Sequence, residues 1–98
     1  MKTLKTASYI KKAQIPLLDN ISWLLKGQRL NDFQMQTILE GVVEAADDPF
    51  NQDPVILAPI MELENLNPAD YPDPIMQMIF VKLRELKQKV SQQPQGVV

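Results

Sequence analysis

The chain has 98 residues, of which 45% are hydrophobic, and its formal net charge is −2. This length fits one domain with one hydrophobic core and excludes two independent cores. The sequence contains neither cysteine nor histidine. It therefore excludes disulfides, thiolate chemistry and the side chain best suited to metal binding and to proton transfer near neutral pH.

The first predicted helix contains Pro16 within an otherwise regular apolar pattern. Residues at helical spacing on both sides of it are Ile10, Ala13, Leu17, Ile21, Leu24 and Leu25. A proline in a helix removes one backbone hydrogen bond and crowds the preceding turn. Because the apolar spacing continues past it, we predict one helix kinked at Pro16. Gly27 suits the left-handed residue that follows a helix.

The second predicted helix has a clear start. Asn31 is the expected N-cap, Gln34 completes a capping box, and Leu30 and Met35 occupy the hydrophobic-staple positions. The apolar face comprises Met35, Ile38, Leu39, Val42, Val43 and Ala46, and Pro49 ends the helix. Gly41 falls among the polar positions, where it costs about 1 kcal/mol relative to alanine. A close neighbour or a local bend would explain it.

Residues 53–66 leave two structures open. Asp53 and Pro54 resemble an N-cap followed by a first-turn proline, but Pro59 stands in what would be the second turn. The segment is either a helix bent at Pro59 or an extended stretch followed by a short helix. We favour a short helix that is bent or delayed at Pro59 and ends near Leu66. The apolar run Val55, Ile56 and Leu57 is too wide for one amphipathic face.

The last predicted helix follows a proline-rich connection over 67–74 and begins with Asp73 as cap and Pro74 at the first position. Its apolar seam contains Met76, Ile79, Leu83, Leu86 and Val90. The seam covers only two heptads, so it fits either an ordinary bundle helix or a dimer seam. The predicted fold is all-α, a small bundle of three to four helices over 1–90, with a flexible tail over 91–98.

Charge is distributed in blocks. Residues 1–29 hold six basic residues and one acid, 30–74 hold ten acids and no Lys or Arg, and 75–98 hold four basic residues and one acid. Within the middle block, Glu40, Glu44, Asp47 and Asp48 form an acidic stripe at the end of the second helix, where the helix dipole disfavours anions. The basic terminal helices, solvent or a basic partner would each compensate for it.

The sequence contains no motif that indicates calcium binding, phosphate binding or catalysis. An EF-hand loop counted from Asp47 fails at Pro49, Gln52 and Ala58, and the three glycines are too scattered for a phosphate loop. We therefore predict no enzyme activity, no cofactor and no metal site. Basic residues near Tyr9 suggest nucleic-acid binding, but the acidic middle block opposes it, so direct binding is not expected.

The predicted function is a small, non-enzymatic protein–protein interaction or regulatory module that binds another protein or acts as a homodimer. The candidate contacts are the seam of the last helix together with Val55, Ile56 and Leu57, and the acidic stripe would supply specificity. The alternative is an acidic inhibitor that mimics nucleic acid at a basic site on its target. Trp23 is expected in the core or at its edge, with an interface anchor as the other interpretation.

No stretch resembles a signal peptide or a membrane helix. The basic start lacks an apolar run of about 7–15 residues behind it, and the longest apolar-rich run is far below the roughly 20 residues that span a bilayer. We expect a soluble cytoplasmic protein.

Overall fold

The structure is a computed structural model that describes residues 15–91. This part of the chain contains four α-helices and no β-strand, which confirms the predicted all-α bundle. The helices are α1 (Ile15–Leu25), α2 (Asp32–Asp47), α3 (Pro54–Glu62) and α4 (Pro74–Ser91), with 3₁₀ turns at Pro49–Asn51, Leu63–Asn65 and Pro68–Asp70.

Two sequence predictions fall partly outside the described residues. The kink at Pro16 stays a prediction, because the residues that would form the helix before Ile15 are not described. Ser91, the first residue of the predicted tail, is the last residue of α4, and 92–98 lie outside the described part of the chain.

The end of α1 is a Schellman motif centred on Gly27, whose φ of 92° is in the left-handed region. The Gln28 N–H donates to the Trp23 carbonyl at 3.0 Å, and the Gly27 N–H donates to the Leu24 carbonyl at 3.0 Å. These two bonds satisfy carbonyl groups that the end of a helix leaves without partners. The predicted stop at Gly27 is confirmed.

The start of α2 is the predicted capping box. The Asn31 side chain accepts from the Gln34 N–H at 2.8 Å, and the Gln34 side chain accepts from the Asn31 N–H at 2.9 Å. Both bonds satisfy donors that the first turn exposes. Because the turn between α1 and α2 carries a specific stop and a specific start, the two helices form a well-defined hairpin.

Gly41 lets α1 approach α2 closely. A β-carbon at this position would lie only 2.7 Å from each δ-carbon of Leu17. That distance is below van der Waals contact, so any larger residue would displace the Leu17 side chain or the helix that carries it. A close neighbour therefore explains this glycine.

The segment after α2 forms a helix that contains Pro59. The Asp53 side chain accepts from the Val55 N–H at 2.9 Å, and Pro54 occupies the first turn, as predicted. α3 then runs from Pro54 to Glu62 with Pro59 inside it, and continues as the 3₁₀ turn Leu63–Asn65, with Leu66 as its C-cap. The helical alternative is therefore correct, and the helix is not delayed to follow Pro59.

The connection to α4 is held by side chains that bond to its backbone. Asn67 accepts from the Ala69 N–H at 3.1 Å, and Gln77 donates from Nε2 to the Tyr71 carbonyl at 2.7 Å and to the Pro68 carbonyl at 3.3 Å. The Tyr71 and Phe80 rings pack with centroids 6.2 Å apart. These contacts fix the start of α4 against the segment that precedes it.

The core lies mainly between α2 and α4, with α1 packed against α2 and α3. Its fully buried large side chains are Ile21, Leu24, Ile38, Val42, Ile60, Leu63, Met76, Ile79 and Leu86. In the last turn of α4, the Lys89 ammonium donates to the Ala46 carbonyl at 2.6 Å, so the carboxyl-terminal ends of α2 and α4 lie side by side.

Candidate protein-binding surface

The predicted contact residues of α4 are placed in the interior. Met76, Ile79, Leu83 and Leu86 are buried by the protein's own helices, and Val90 is half-buried. Within residues 15–91 this seam is part of the core, as expected for an ordinary bundle helix and not for a dimer seam. A second protein reaches these side chains only if the bundle opens.

The predicted contact run on α3 is divided between core and surface. Ile56 is buried, Leu57 is half-buried and packs on the core, and Val55 is 40% exposed. Of the three, Val55 is therefore the one that presents a large free apolar surface.

Val55 lines an apolar groove of about 380 Å³ between α1 and α3. Leu18, Leu25 and Pro59 line the groove with it, and Lys26 and Glu62 contribute the charged groups. Pro59 has no N–H, so it cannot donate to the Val55 carbonyl one turn earlier. The groove is thus lined mainly by apolar side chains.

A second groove, of about 340 Å³, lies between α1 and the start of α2. We call it the α1–α2 groove, and its lining includes Ile15, Trp23 and Phe33. These side chains are 48%, 37% and 79% exposed. Aromatic side chains combine a large apolar area with few rotatable bonds, and tryptophan in particular is common among residues that dominate binding energy.

Polar groups also line the α1–α2 groove. Asn20 is buried to 4% exposure, and Asp19 is the single charged residue among those that line it. Asn31 and Gln34 also line it, but their side-chain oxygens are engaged in the capping box. The groove is therefore largely apolar, with one carboxylate available to a ligand.

The predicted acidic stripe lies on the surface. Glu40, Glu44, Asp47 and Asp48 are exposed. Asp48 accepts from the Asn51 side chain at 2.8 Å. The two ion pairs found within residues 15–91, Lys82 with Glu85 at 3.2 Å and Lys87 with Glu64 at 3.0 Å, do not involve the stripe.

The stripe continues the line of Phe33 along α2. Positions 33, 40, 44 and 47 follow one another at steps of seven, four and three residues, which place them on the same side of a helix. We call Phe33, Glu40, Glu44 and Asp47 the acidic face of α2. It begins at the α1–α2 groove with an exposed aromatic ring and continues as a row of carboxylates.

Two exposed residues of α4 form a smaller apolar patch. Met78 is 53% exposed and Val81 is 46% exposed, next to Lys82. Sequence reasoning did not select this patch, nor Ile15 and Phe33 as contact residues. Phe33 carried a usable signal, because its helical position coincides with polar Glu40 and Asp47 and not with the apolar face.

The described residues contain no group of three or more acidic side chains arranged to hold a metal ion. None of the helices between Ile15 and Ser91 is long and apolar enough to cross a membrane. No family model, no curated protein and no solved structure matches this chain.

Proposed function

We propose that the protein is a small protein–protein interaction module that binds its partner through the α1–α2 groove. One observation carries the proposal: Ile15, Trp23 and Phe33 line one groove while each remains at least 37% exposed. Exposed apolar residues scattered singly need no explanation, whereas a group of them around a concave surface is typical of a binding site.

The groove is built on rigid parts of the molecule. The Trp23 carbonyl accepts a hydrogen bond of the Schellman motif at the end of α1, and Phe33 stands in the first turn of α2, between the two residues of the capping box. Groups held in place before binding lose little conformational entropy when the partner arrives. This arrangement supports a preformed site over one that folds around its ligand.

A homodimer is one form of this proposal. Because the α4 seam is core, a dimer of the folded chain would have to use an exposed surface, such as the α1–α2 groove or the patch of Met78 and Val81. The groove is the stronger choice, since it offers two aromatic side chains that can interlock with a second copy.

The second candidate is an acidic inhibitor that occupies a nucleic-acid-binding site on its target. It is favoured by the exposure of Glu40, Glu44 and Asp47, and by the fact that Lys82 and Lys87 pair with other carboxylates. A row of carboxylates along a helix resembles the repeated negative charge of a phosphate backbone.

Site-specific photo-crosslinking tests the proposal. A photoreactive benzoyl-phenylalanine is introduced in place of Phe33, and the full chain is irradiated in the cells that make it. We expect a covalent adduct with one defined partner. The control carries the same group in place of Gln88, an exposed residue of α4 that lies away from the groove. Equal labelling from both positions, or none from position 33, would refute the proposal.

The adduct also separates the candidates. A product of twice the 11.2 kDa chain mass identifies a homodimer. An adduct to a nucleic-acid-binding protein that disappears when excess duplex DNA is added supports the acidic inhibitor. An adduct to another protein that is insensitive to DNA supports the interaction module.

A further inference from the structure

The acidic face of α2 lies next to the place where residues 1–14 join the described chain. Leu17, in the first turns of α1, packs on Gly41 so closely that a β-carbon there would be 2.7 Å from the Leu17 δ-carbons. Glu40 directly precedes Gly41, and Glu44 follows it by less than one helical turn. The start of α1, to which residues 1–14 are joined, therefore lies beside the part of α2 that carries these carboxylates.

Residues 1–14 carry positive charge, which would complement the negative charge of this face. They contain Lys2, Lys5, Lys11 and Lys12 and no acidic residue. They also contain the apolar side chains of Leu4, Tyr9 and Ile10. The acidic face has the opposite charge and an apolar group of its own. Its three carboxylates make no ion pair within residues 15–91, and the Phe33 ring is exposed at one end.

The length of the segment is sufficient. Lys12 lies five residues before Leu17, so its α-carbon is within about 18 Å of the Leu17 α-carbon in any conformation. Fourteen residues measure about 21 Å as a helix and up to about 50 Å when extended. The line from Phe33 to Asp47 along α2 spans about 21 Å by the same helical rise. The segment is therefore long enough to reach either end of the face.

We propose that residues 1–14 dock on the acidic face of α2 of the same chain, with their lysines next to Glu40, Glu44 and Asp47. Single exposed ion pairs are weak. Several pairs on a segment that is already tethered nearby gain from its high effective concentration. If the α1–α2 groove binds a partner as proposed above, the docked segment also competes with cationic partners for the adjoining carboxylates, a consequence that rests on the proposed function.

Paramagnetic labelling of the full chain tests the docking. The protein has no cysteine, so Ser8→Cys provides a unique site for a nitroxide. In the ¹⁵N-labelled protein we expect the amide signals of Glu40, Glu44 and Asp47 to lose intensity. Lys11→Glu with Lys12→Glu should restore that intensity. Lys26→Glu with Arg29→Glu, which changes the net charge equally outside the segment, should not.

Two outcomes would overturn the proposal. Undiminished signals along α2 would show that the segment lies elsewhere, and equal broadening before and after Lys11 and Lys12 are reversed would show that tethering alone brings the label close. A sample that mixes spin-labelled ¹⁴N chains with unlabelled ¹⁵N chains separates the copies. Broadening there would assign the contact to a second molecule and would also overturn docking within one chain.

The two tests have distinguishable outcomes. If the label broadens α2 and the crosslink from position 33 finds no partner, even when Lys11→Glu and Lys12→Glu are present, the segment docks and the interaction module is refuted. If the crosslink succeeds and the label has no effect, the partner site stands without this segment. If both are correct, Lys11→Glu with Lys12→Glu increases the yield of the partner adduct at position 33.

Discussion

At position 41, helix propensity favours alanine, whereas the close packing of Leu17 favours glycine. Alanine is favoured over glycine in a helix interior by about 1 kcal/mol. Here the Leu17 side chain occupies the space that a β-carbon needs, because a β-carbon at position 41 would lie 2.7 Å from each Leu17 δ-carbon. Overpacking a core position costs about 1–3 kcal/mol, which is enough to reverse the preference.

We therefore expect Gly41→Ala to lower the free energy of unfolding by about 1 kcal/mol, the overpacking cost less the gain in propensity. In a Leu17→Ala background the same substitution should raise it by about 1 kcal/mol, since only the propensity remains. Urea unfolding of the four proteins measures both values. A loss of the same size in both backgrounds would show that Leu17 is not the cause.

Trp23 is a second residue whose position depends on the neighbouring helices. The sequence predicts a position in the core or at its edge, because the neighbours of Trp23 are apolar, and the structure leaves the side chain 37% exposed in the α1–α2 groove. Leu24 and Ile21, on the side of α1 that faces α2 and α3, take the interior positions instead. The sequence of one helix does not show how much of its surface is buried, because this depends on the helices that pack against it on each side.

Among the helices, α3 shows how packing overrides a local signal. Proline in a helix interior is about 3 kcal/mol less favourable than alanine, yet α3 continues through Pro59. Ile56 and Ile60 lie on either side of it in sequence and are both buried in the core. A helical turn between them places both side chains on the face that packs on the core, and this burial favours the helix.

Replacing Pro59 by alanine should therefore stabilise the protein. The substitution restores an N–H that can donate to the Val55 carbonyl, while the unfolded chain becomes freer by about 0.4–1 kcal/mol. We expect a gain of about 1–2 kcal/mol in the free energy of unfolding, measured by urea denaturation. Pro54→Ala is the control and should give no gain, because position 54 is in the first turn, where proline is well tolerated.

A neutral or destabilised Pro59→Ala would show that the proline ring contributes contacts in the α1–α3 groove that outweigh the hydrogen bond. That result would point to a role for the ring in shaping the groove that Val55 and Leu18 also line.

The end of α2 shows compensation between helices. Its last turn contains no basic residue, although cations are favoured there by the helix dipole. α4 supplies the missing charge, because the Lys89 ammonium reaches the Ala46 carbonyl at 2.6 Å. The acidic stripe itself stays at the surface, so the fold compensates for the dipole while leaving the carboxylates exposed.

For the whole molecule, the position of the α4 seam determines which substitutions test association and which test folding. Leu83 is 5% exposed in the core, whereas Val81 on the same helix is 46% exposed. A carboxylate in place of Leu83 loses the buried side chain and puts an unpaired charge in an apolar environment. A carboxylate in place of Val81 stays in water.

We expect Leu83→Glu to lower the free energy of unfolding by about 4 kcal/mol or more, which is most of the stability of a small domain at the low end of the usual range of about 5–15 kcal/mol. Val81→Glu should change stability by no more than about 0.5 kcal/mol. Far-ultraviolet circular dichroism during thermal unfolding measures both, and light scattering at low and high salt gives the solution mass. A well-folded Leu83→Glu monomer derived from a dimeric parent would instead identify the seam as a dimer contact.

The sequence by itself determined the features that depend on neighbouring residues. Asn31 with Gln34, Gly27, and Asp53 with Pro54 form the predicted caps, because capping bonds join residues only a few positions apart. The apolar spacing of α2 and α4 likewise predicted their buried faces, since helical periodicity is a local property.

The tertiary structure alone decided which surfaces those helices cover. The apolar seam of α4 reads the same whether it packs on α2 or on a second chain, and only the packed bundle assigns it to the core. The exposed group of Ile15, Trp23 and Phe33, and the contact of Leu17 with Gly41, also arise between helices. Side chains distant in sequence meet only when the bundle forms, and no local pattern records which of them will remain in contact with solvent.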